Sequence, residues 1–397
     1  MRGRLVAIVD HYRRPRVLGL DLLRIVASLT IILYHGDPMA LFGRNEVGLI
    51  FHTDGYLAVD IFFVLSGWLL TRQALRMRGS FRTPLRLTLT FWARRWARTI
   101  PPYLVVLVVI LVFGRQLAER DLVQPLSFGE LLKHALFLQT VVPPNRFAVS
   151  WSLVTEEWFY LLLPLMILLA FTLRSRRLLL GLGVGALLLP TAIRSLLLLS
   201  SANSWDVLSQ PVARYEGLVV GALLAAASLT LPWWETVMAR RRWLFGFGCL
   251  VLAGLLVAGA GDSLWFRIFG LLAFSIFLGF LLPLLSQLHW PKSAPAPAVM
   301  GIAFLAELTY PLYLLHTLTK LHWSRAHGQT RLTYALLSIG ILLLAATVLH
   351  LGIERPFLAL RDKLAGPPGE GRKAWGRDIR RAPSGAAHMT APQPVAD

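Results

Sequence analysis

Apolar stretches of near-membrane length alternate with short polar loops along most of the chain. The pattern predicts about ten helices, near 17–35, 55–74, 100–114, 149–172, 177–199, 212–231, 243–260, 265–287, 299–320 and 332–353. Most are long enough to cross ~30 Å of hydrocarbon at ~1.5 Å per residue. The third is the weakest, because Pro101 and Pro102 open it and Arg115 follows closely. Segment 130–142 is too short to cross and reads as re-entrant or interfacial. The chain thus divides into a basic N-terminus (1–16), a transmembrane domain (17–358) and a basic tail (359–397). The tail is rich in Gly, Pro, Ala and Arg with little to bury, so disorder is expected there.

Composition agrees with this pattern. Of 397 residues, 56% are hydrophobic and 15% charged, too few polar groups to cover a soluble core of this size. The expected class is an all-α, polytopic bundle in a lipid bilayer. A net charge of +19 would suit nucleic acid, but the arginines cluster in alternate loops, which argues for a bilayer and against nucleic acid. They gather before residue 17, between Arg76 and Arg98, at Arg174–Arg177, at Arg240–Arg242 and in the tail. The intervening loops are poorer in cations and carry Asp37, Glu46, Asp54, Glu119, Asp121, Glu130, Asp206 and Asp262. The alternation predicts an even number of spans with both termini cytoplasmic. The loop holding Lys320, His322, Arg325, His327 and Arg331 departs from it, falling on the expected outer side. The N-terminus is not expected to be a signal peptide, because Asp21 and Arg24 interrupt its apolar run. Cys249 is the single cysteine, which excludes a disulfide framework and a thiolate metal site; no metal is expected. Nothing in the sequence specifies an oligomeric state.

Several polar residues then fall within apolar runs. The first run carries Asp21, Arg24 and His35. At ~100° per residue, Arg24 and His35 lie within roughly 20° of one another on a helix, about 16 Å apart along its axis. Such groups cost at least ~2.5 kcal/mol each in a membrane unless the bundle satisfies them. With the orientation above, His35, Asp60, Glu156, Glu157 and His316 are all expected toward the outer third. A histidine beside a carboxylate is the minimum for general base catalysis, because the acid orients the ring and stabilises its charged form. Each residue also has a plainer reading: Asp60 as a buried ion pair with an arginine of another helix, His35 and His316 as interfacial residues.

A second cluster, Phe91-WARRWARTIPPY-Tyr103, interleaves Arg94, Arg95 and Arg98 with Trp92 and Trp96 on the expected cytoplasmic side. Guanidinium forks suit phosphates and indoles can stack on a base; an interfacial helix holding anionic lipid fits equally well. The glycines Gly181, Gly183 and Gly185 sit inside an apolar run with no preceding strand, so they suit helix packing rather than a dinucleotide.

Taken in order, these stretches resemble the acyltransferase-3 family of integral membrane acyltransferases, which includes bacterial O-antigen and exopolysaccharide O-acetylases. The likeness covers most of residues 16–358. It is carried by Arg24 with His35 eleven positions on, by Gly55-YLAVDIFFVLSGWLL-Leu70, by Arg94-RWARTIPPY-Tyr103, by Trp151-SLVTEEWFY-Tyr160, by Tyr310-PLYLLH-His316 and by Ile353-ERPF-Phe357. The resemblance implies a bacterial cytoplasmic-membrane enzyme that moves an acyl group, by default acetyl, from cytoplasmic acyl-CoA to a hydroxyl of a sugar or glycosylated acceptor. It implies that Arg94, Arg95 and Arg98 hold the CoA phosphates, with Arg24 part-way up the pantetheine arm. His35 would be base or transient acyl carrier, and Asp60, Glu156 or Glu157 would orient its ring. Trp151, Tyr160 and His316 would face substrate. No soluble domain fused after the last span is expected, a departure from the resemblance, so acceptor recognition is expected from spans and loops. The alternative from another class is a transporter or flippase for an anionic glycolipid or polyol, which would also need buried charges. Paired broken helices in related halves would favour it, and the sequence has no internal repeat. A lipid-binding scaffold would leave the intramembrane histidines and acids without a role.

Overall fold

The computed structural model of the protein describes residues 16–36, 38–42, 45–78, 84–119, 122–172, 176–200, 203–232, 234–257, 263–291, 293–319 and 330–365. The N-terminal fifteen residues, most of the basic loop 320–331 and the tail beyond 365 lie outside the described residues, and so do the expectations that fell on them.

Among the described residues the fold is all-α. Its main helices are α1 (Leu18–His35), α2 (Ala58–Arg78), α3 (Pro84–Ala118), α4 (Trp151–Thr172), α5 (Arg176–Leu199), α6 (Glu216–Thr230), α7 (Arg241–Val257), α8 (Leu271–Leu285), α9 (Ala296–Leu315), α10 (Thr330–Leu349) and α11 (Arg355–Ala365). A π turn at His350–Glu354 joins α10 to α11. Each of the ten apolar stretches carries a helix, and eight segments are long and apolar enough to cross a membrane. The helices α6 and α7, with 15 and 17 residues, are shorter.

The third element differs most from its expectation. Instead of starting near residue 100, α3 is a continuous helix of 35 residues with Pro101 and Pro102 in its interior. Proline frees carbonyls of the preceding turn, and within a bundle neighbouring side chains can satisfy such a backbone. Pro101 and Pro102 leave the carbonyls of Ala97 and Arg98 without their usual donors, and one residue on the Tyr310 hydroxyl of α9 donates to Thr99 O at 2.8 Å. The arginine cluster therefore rides on the spanning helix itself.

At the centre, α2 and α6 meet backbone to backbone. A Cβ at Gly67 would stand 2.1 Å from Leu218 O, and one at Gly221 2.1 Å from Val64 O. Only glycine allows this approach, the device by which small residues let membrane helices touch. We expect Gly221→Val to force the pair apart and abolish the folded, monodisperse protein. The same change at Gly181, where nothing lies within 4 Å, should leave detergent-solubilised yield and thermal stability near normal. Equal behaviour of the two variants would contradict this packing.

The segment 130–142 does not cross. Ser127 and Glu130 form a reciprocal capping box that starts a short helix, Phe128–Ala135. Leu131, Ala135 and Phe137 pack against Tyr103, Val106, Leu107 and Ile110 of α3. Phe128, Leu132 and Leu136, four apart, point outward. Gln139 then ties the loop to the bundle, donating to Tyr103 Oη at 3.3 Å and Ser150 Oγ at 3.0 Å.

Candidate active site

Arg95 and Arg98, expected on the cytoplasmic side, and Glu156, expected toward the outside, meet around one cavity of about 190 Å³. Its wall includes Arg24 of α1, Arg95 and Arg98 of α3, Ser152 and Glu156 of α4, and Tyr313 of α9. Glu156 accepts from Ser66 Oγ at 2.8 Å and from the Tyr160 hydroxyl, and lies 3.6 Å from the Arg95 guanidinium. Arg95 also donates to Tyr160 Oη and stacks over that ring at 4.3 Å. Glu157, one residue on, is buried and accepts from Trp96 Nε1 at 3.0 Å and Thr99 Oγ1 at 2.9 Å. Trp92 stacks on Trp96 at 5.6 Å and donates to Tyr160 O. Both indole N–H groups thus fasten α3 to α4. Arg94 does not line the cavity; it lies within electrostatic reach of Arg361 and Asp362 on α11. The cavity is read by the i,i+3 pair Arg95 and Arg98, not by the i,i+4 pair Arg94 and Arg98.

Behind Arg24 and Arg98 runs a chain of ionic contacts that sequence reasoning missed. Arg24 is 3.5 Å from Asp21, and Asp21 is 2.8 Å from Arg16. Arg16 reaches Glu307 of α9 at 2.7 Å. His350 stands between Glu307 at 3.6 Å and Glu354 at 2.7 Å, and Glu354 is 3.4 Å from Arg98. Three arginines and His350 alternate with the carboxylates of Asp21, Glu307 and Glu354, so both cavity arginines are anchored from behind by carboxylates. Glu354 was in view within Ile353-ERPF-Phe357, and Glu307 as an acid inside an apolar run.

His35 and His316 lie side by side, ring centroids 4.7 Å apart, where α1 and α9 end. They line a narrow cleft of about 10 Å³ with Ile32, Thr319 and Ser338, space for about one water. His35 Nδ1 is 3.1 Å from Ile31 O, and His316 Nδ1 is 2.7 Å from Tyr313 O. A carbonyl can only accept, so these contacts assign the proton of each neutral ring to Nδ1 and leave Nε2 as the basic nitrogen. Backbone carbonyls hold both rings in these contacts. Tyr313 links pair and cavity: its ring is 5.6 Å from that of His316, and its hydroxyl bonds Ser152 Oγ.

Asp60 forms a buried ion pair with Arg214 at 2.7 Å in which neither side chain has solvent exposure. The Arg214 guanidinium lies 4.7 Å from the Trp151 ring and 5.1 Å from the Tyr56 ring. Trp151 is buried against it, and Tyr160 is fully buried with its hydroxyl between Arg95 and Glu156. A parallel buried pair, Arg194–Glu216 at 2.7 Å, joins α5 to α6. Arg194 also donates to Ile268 O and Ala213 O. Among the described residues no cluster of three or more His, Cys, Asp or Glu could hold a metal.

A family profile described as an acyltransferase domain matches residues 17–350. The chain belongs to the acyltransferase-3 family. It is 38% identical over 166 residues to the O-acetyltransferase OatA of Staphylococcus aureus, covering 38% of this chain and 25% of that protein. It is 29% identical over 246 residues to the putative peptidoglycan O-acetyltransferase YrhL of Bacillus subtilis, covering 56% of this chain and 34% of that one. It is 27% identical over 227 residues to the peptidoglycan O-acetyltransferase OatA of Listeria monocytogenes, covering 54% and 34%. The match thus spans a quarter to a third of the length of these relatives. No solved structure matches. With bacterial relatives and eight candidate spans, this acyltransferase-3 protein is an integral protein of the bacterial cytoplasmic membrane.

Proposed function

We propose that the protein is an O-acyltransferase that takes an acyl group, by default acetyl, from cytoplasmic acyl-CoA and passes it to a hydroxyl of a carbohydrate or glycosylated acceptor. One observation carries the reading: a cavity walled by Arg24, Arg95 and Arg98 is joined through Tyr313 to the His316–His35 pair. The guanidinium groups suit the donor's phosphates. His35 Nε2 takes the proton of the acceptor hydroxyl as that oxygen attacks the thioester carbon, or first carries the acyl group itself; in either route the CoA sulfur leaves and is protonated. The relatives named for O-acetylation support acetyl as the group and a glycan as the acceptor.

The test is transfer of radiolabelled acetyl from acetyl-CoA by the full chain in nanodiscs. We expect Arg24→Ala with Arg98→Ala to weaken acetyl-CoA binding about tenfold or more, and wild-type affinity to fall as salt rises. Arg94→Ala should do much less, because Arg94 faces α11. A double variant that binds acetyl-CoA normally would move the donor site elsewhere.

In this reading α6 and α7 cross as well, giving ten spans with both termini cytoplasmic and the histidine pair toward the outside. In a Cys249→Ala background, Arg86→Cys should react with an impermeant maleimide only from the cytoplasm, and Asn45→Cys only from outside. Both positions are exposed. Labelling of both from one side would break the topology, and with it a donor that enters from the cytoplasm.

A further inference from the structure

A second cavity, of about 290 Å³, opens at the end of the bundle where α1, α3 and α9 stop and α4 begins. Ala118 of α3, Thr317 after α9, and Gln124, Asn145, Arg146 and Phe147 of the connecting loop line it. Thr317 directly follows His316. Tyr313 faces the donor cavity, His316 the histidine cleft and Thr317 this cavity. One turn of chain therefore touches all three spaces.

The chemistry of the wall is mixed. Arg146 bonds Glu130 at 2.9 Å and donates to Gln124 Oε1 at 3.2 Å, drawing a string of polar groups along the loop. The Ser127 backbone N–H, and then Arg146, hold the Glu130 carboxyl below the usual carboxylate range, so this cation is already balanced. Asn145 Oδ1 accepts from Phe147 N at 3.2 Å, which fixes the loop. Thr317 Oγ1 is buried with no hydrogen-bond partner among the described residues. A buried hydroxyl left unpaired is unfavourable, and a ligand that bonds it removes that cost. Amide, guanidinium and hydroxyl groups beside the apolar side chains of Phe147 and Val149 suit a ring bearing both hydroxyls and C–H faces. A lipid tail would leave the polar groups unmet, and a simple anion would compete with Glu130. The volume is near the ~300 Å³ lower bound of small-molecule clefts.

We propose that this cavity is the acceptor subsite, binding a sugar ring of a glycan and delivering one of its hydroxyls to the His316–His35 pair. The proposal rests on the transferase reading and adds where, and through which groups, the acceptor is held.

The experiment uses the full chain in nanodiscs, radiolabelled acetyl-CoA, and glycan fragments released from the source bacterium's own envelope as the acceptor probe. Thr317→Val removes only a hydroxyl that has no partner among the described residues, so the fold should not register it. Combined with Gln124→Leu it should raise KM for the fragments about tenfold, with KM for acetyl-CoA changed by less than about twofold. Ala148→Trp, at an exposed position on the cavity wall, should fill the space and abolish transfer while acetyl-CoA still binds. Unchanged KM for the fragments in both variants would overturn the subsite. Wild-type protein that binds acetyl-CoA yet labels no fragment would overturn the sugar as its ligand. Failure of the wild type to bind acetyl-CoA at all would instead sink the transferase reading.

Discussion

His35→Ala is expected to lower acetyl transfer by ~10²-fold or more, the usual contribution of a positioned base or nucleophile. The expectation comes from where the proton sits. With Nδ1 committed to Ile31 O, the neutral ring offers Nε2 at the end of α1, beside His316 and next to the cavity that Thr317 lines. Alanine removes that nitrogen together with the ring's bond to Ile31 O and its contact with His316, at a half-buried position that ends its helix. Membrane yield and acetyl-CoA affinity should therefore stay near wild type while turnover collapses. Added imidazole should restore part of the rate if the lost group is a base. A variant that transfers acetyl at a near-normal rate would remove His35 from the mechanism and leave the family membership untouched.

The spans were legible because burial in lipid demands long apolar runs, and ten such runs became ten helices. The third starts earlier than its apolar run, because Pro101 and Pro102 read as a helix start and lie in the interior instead. The cost of proline there depends on how the surrounding bundle packs against that turn, where Tyr310 of α9 bonds Thr99 O, and sequence spacing does not reveal neighbours. The same limit governs the site. His35, Arg24 and Arg98 could be singled out from their own apolar surroundings. Which carboxylate meets which cation is decided by helix packing: Glu156 and Glu157 turn to α3, and Asp60 turns to Arg214. A depth argument alone placed those three acids with the histidines. Arg194 and Glu307 carried the same signal as Arg24, an ionisable group within an apolar run, and could have been found by applying that criterion throughout.

Asp60 illustrates how a residue inside a signature segment can act through the fold. Its carboxylate and the Arg214 guanidinium share a site without solvent exposure, flanked by Trp151 and Tyr56. Breaking one partner of such a pair strands the other charge, which costs ~3–5 kcal/mol. Asp60→Ala is therefore expected to lower the unfolding midpoint sharply and to reduce the folded yield, with transfer falling in proportion to folded protein. Replacing both partners should behave differently, since an apolar pair of similar volume often restores or improves stability. We expect Asp60→Leu with Arg214→Met to recover a large part of the folded yield. Transfer per folded molecule in that double variant is the deciding measurement. A rate near wild type means that Asp60 holds the junction of α2 with the turn before α6 and has no part in the chemistry. A well-folded double variant that remains inactive would return Asp60 to the reacting groups.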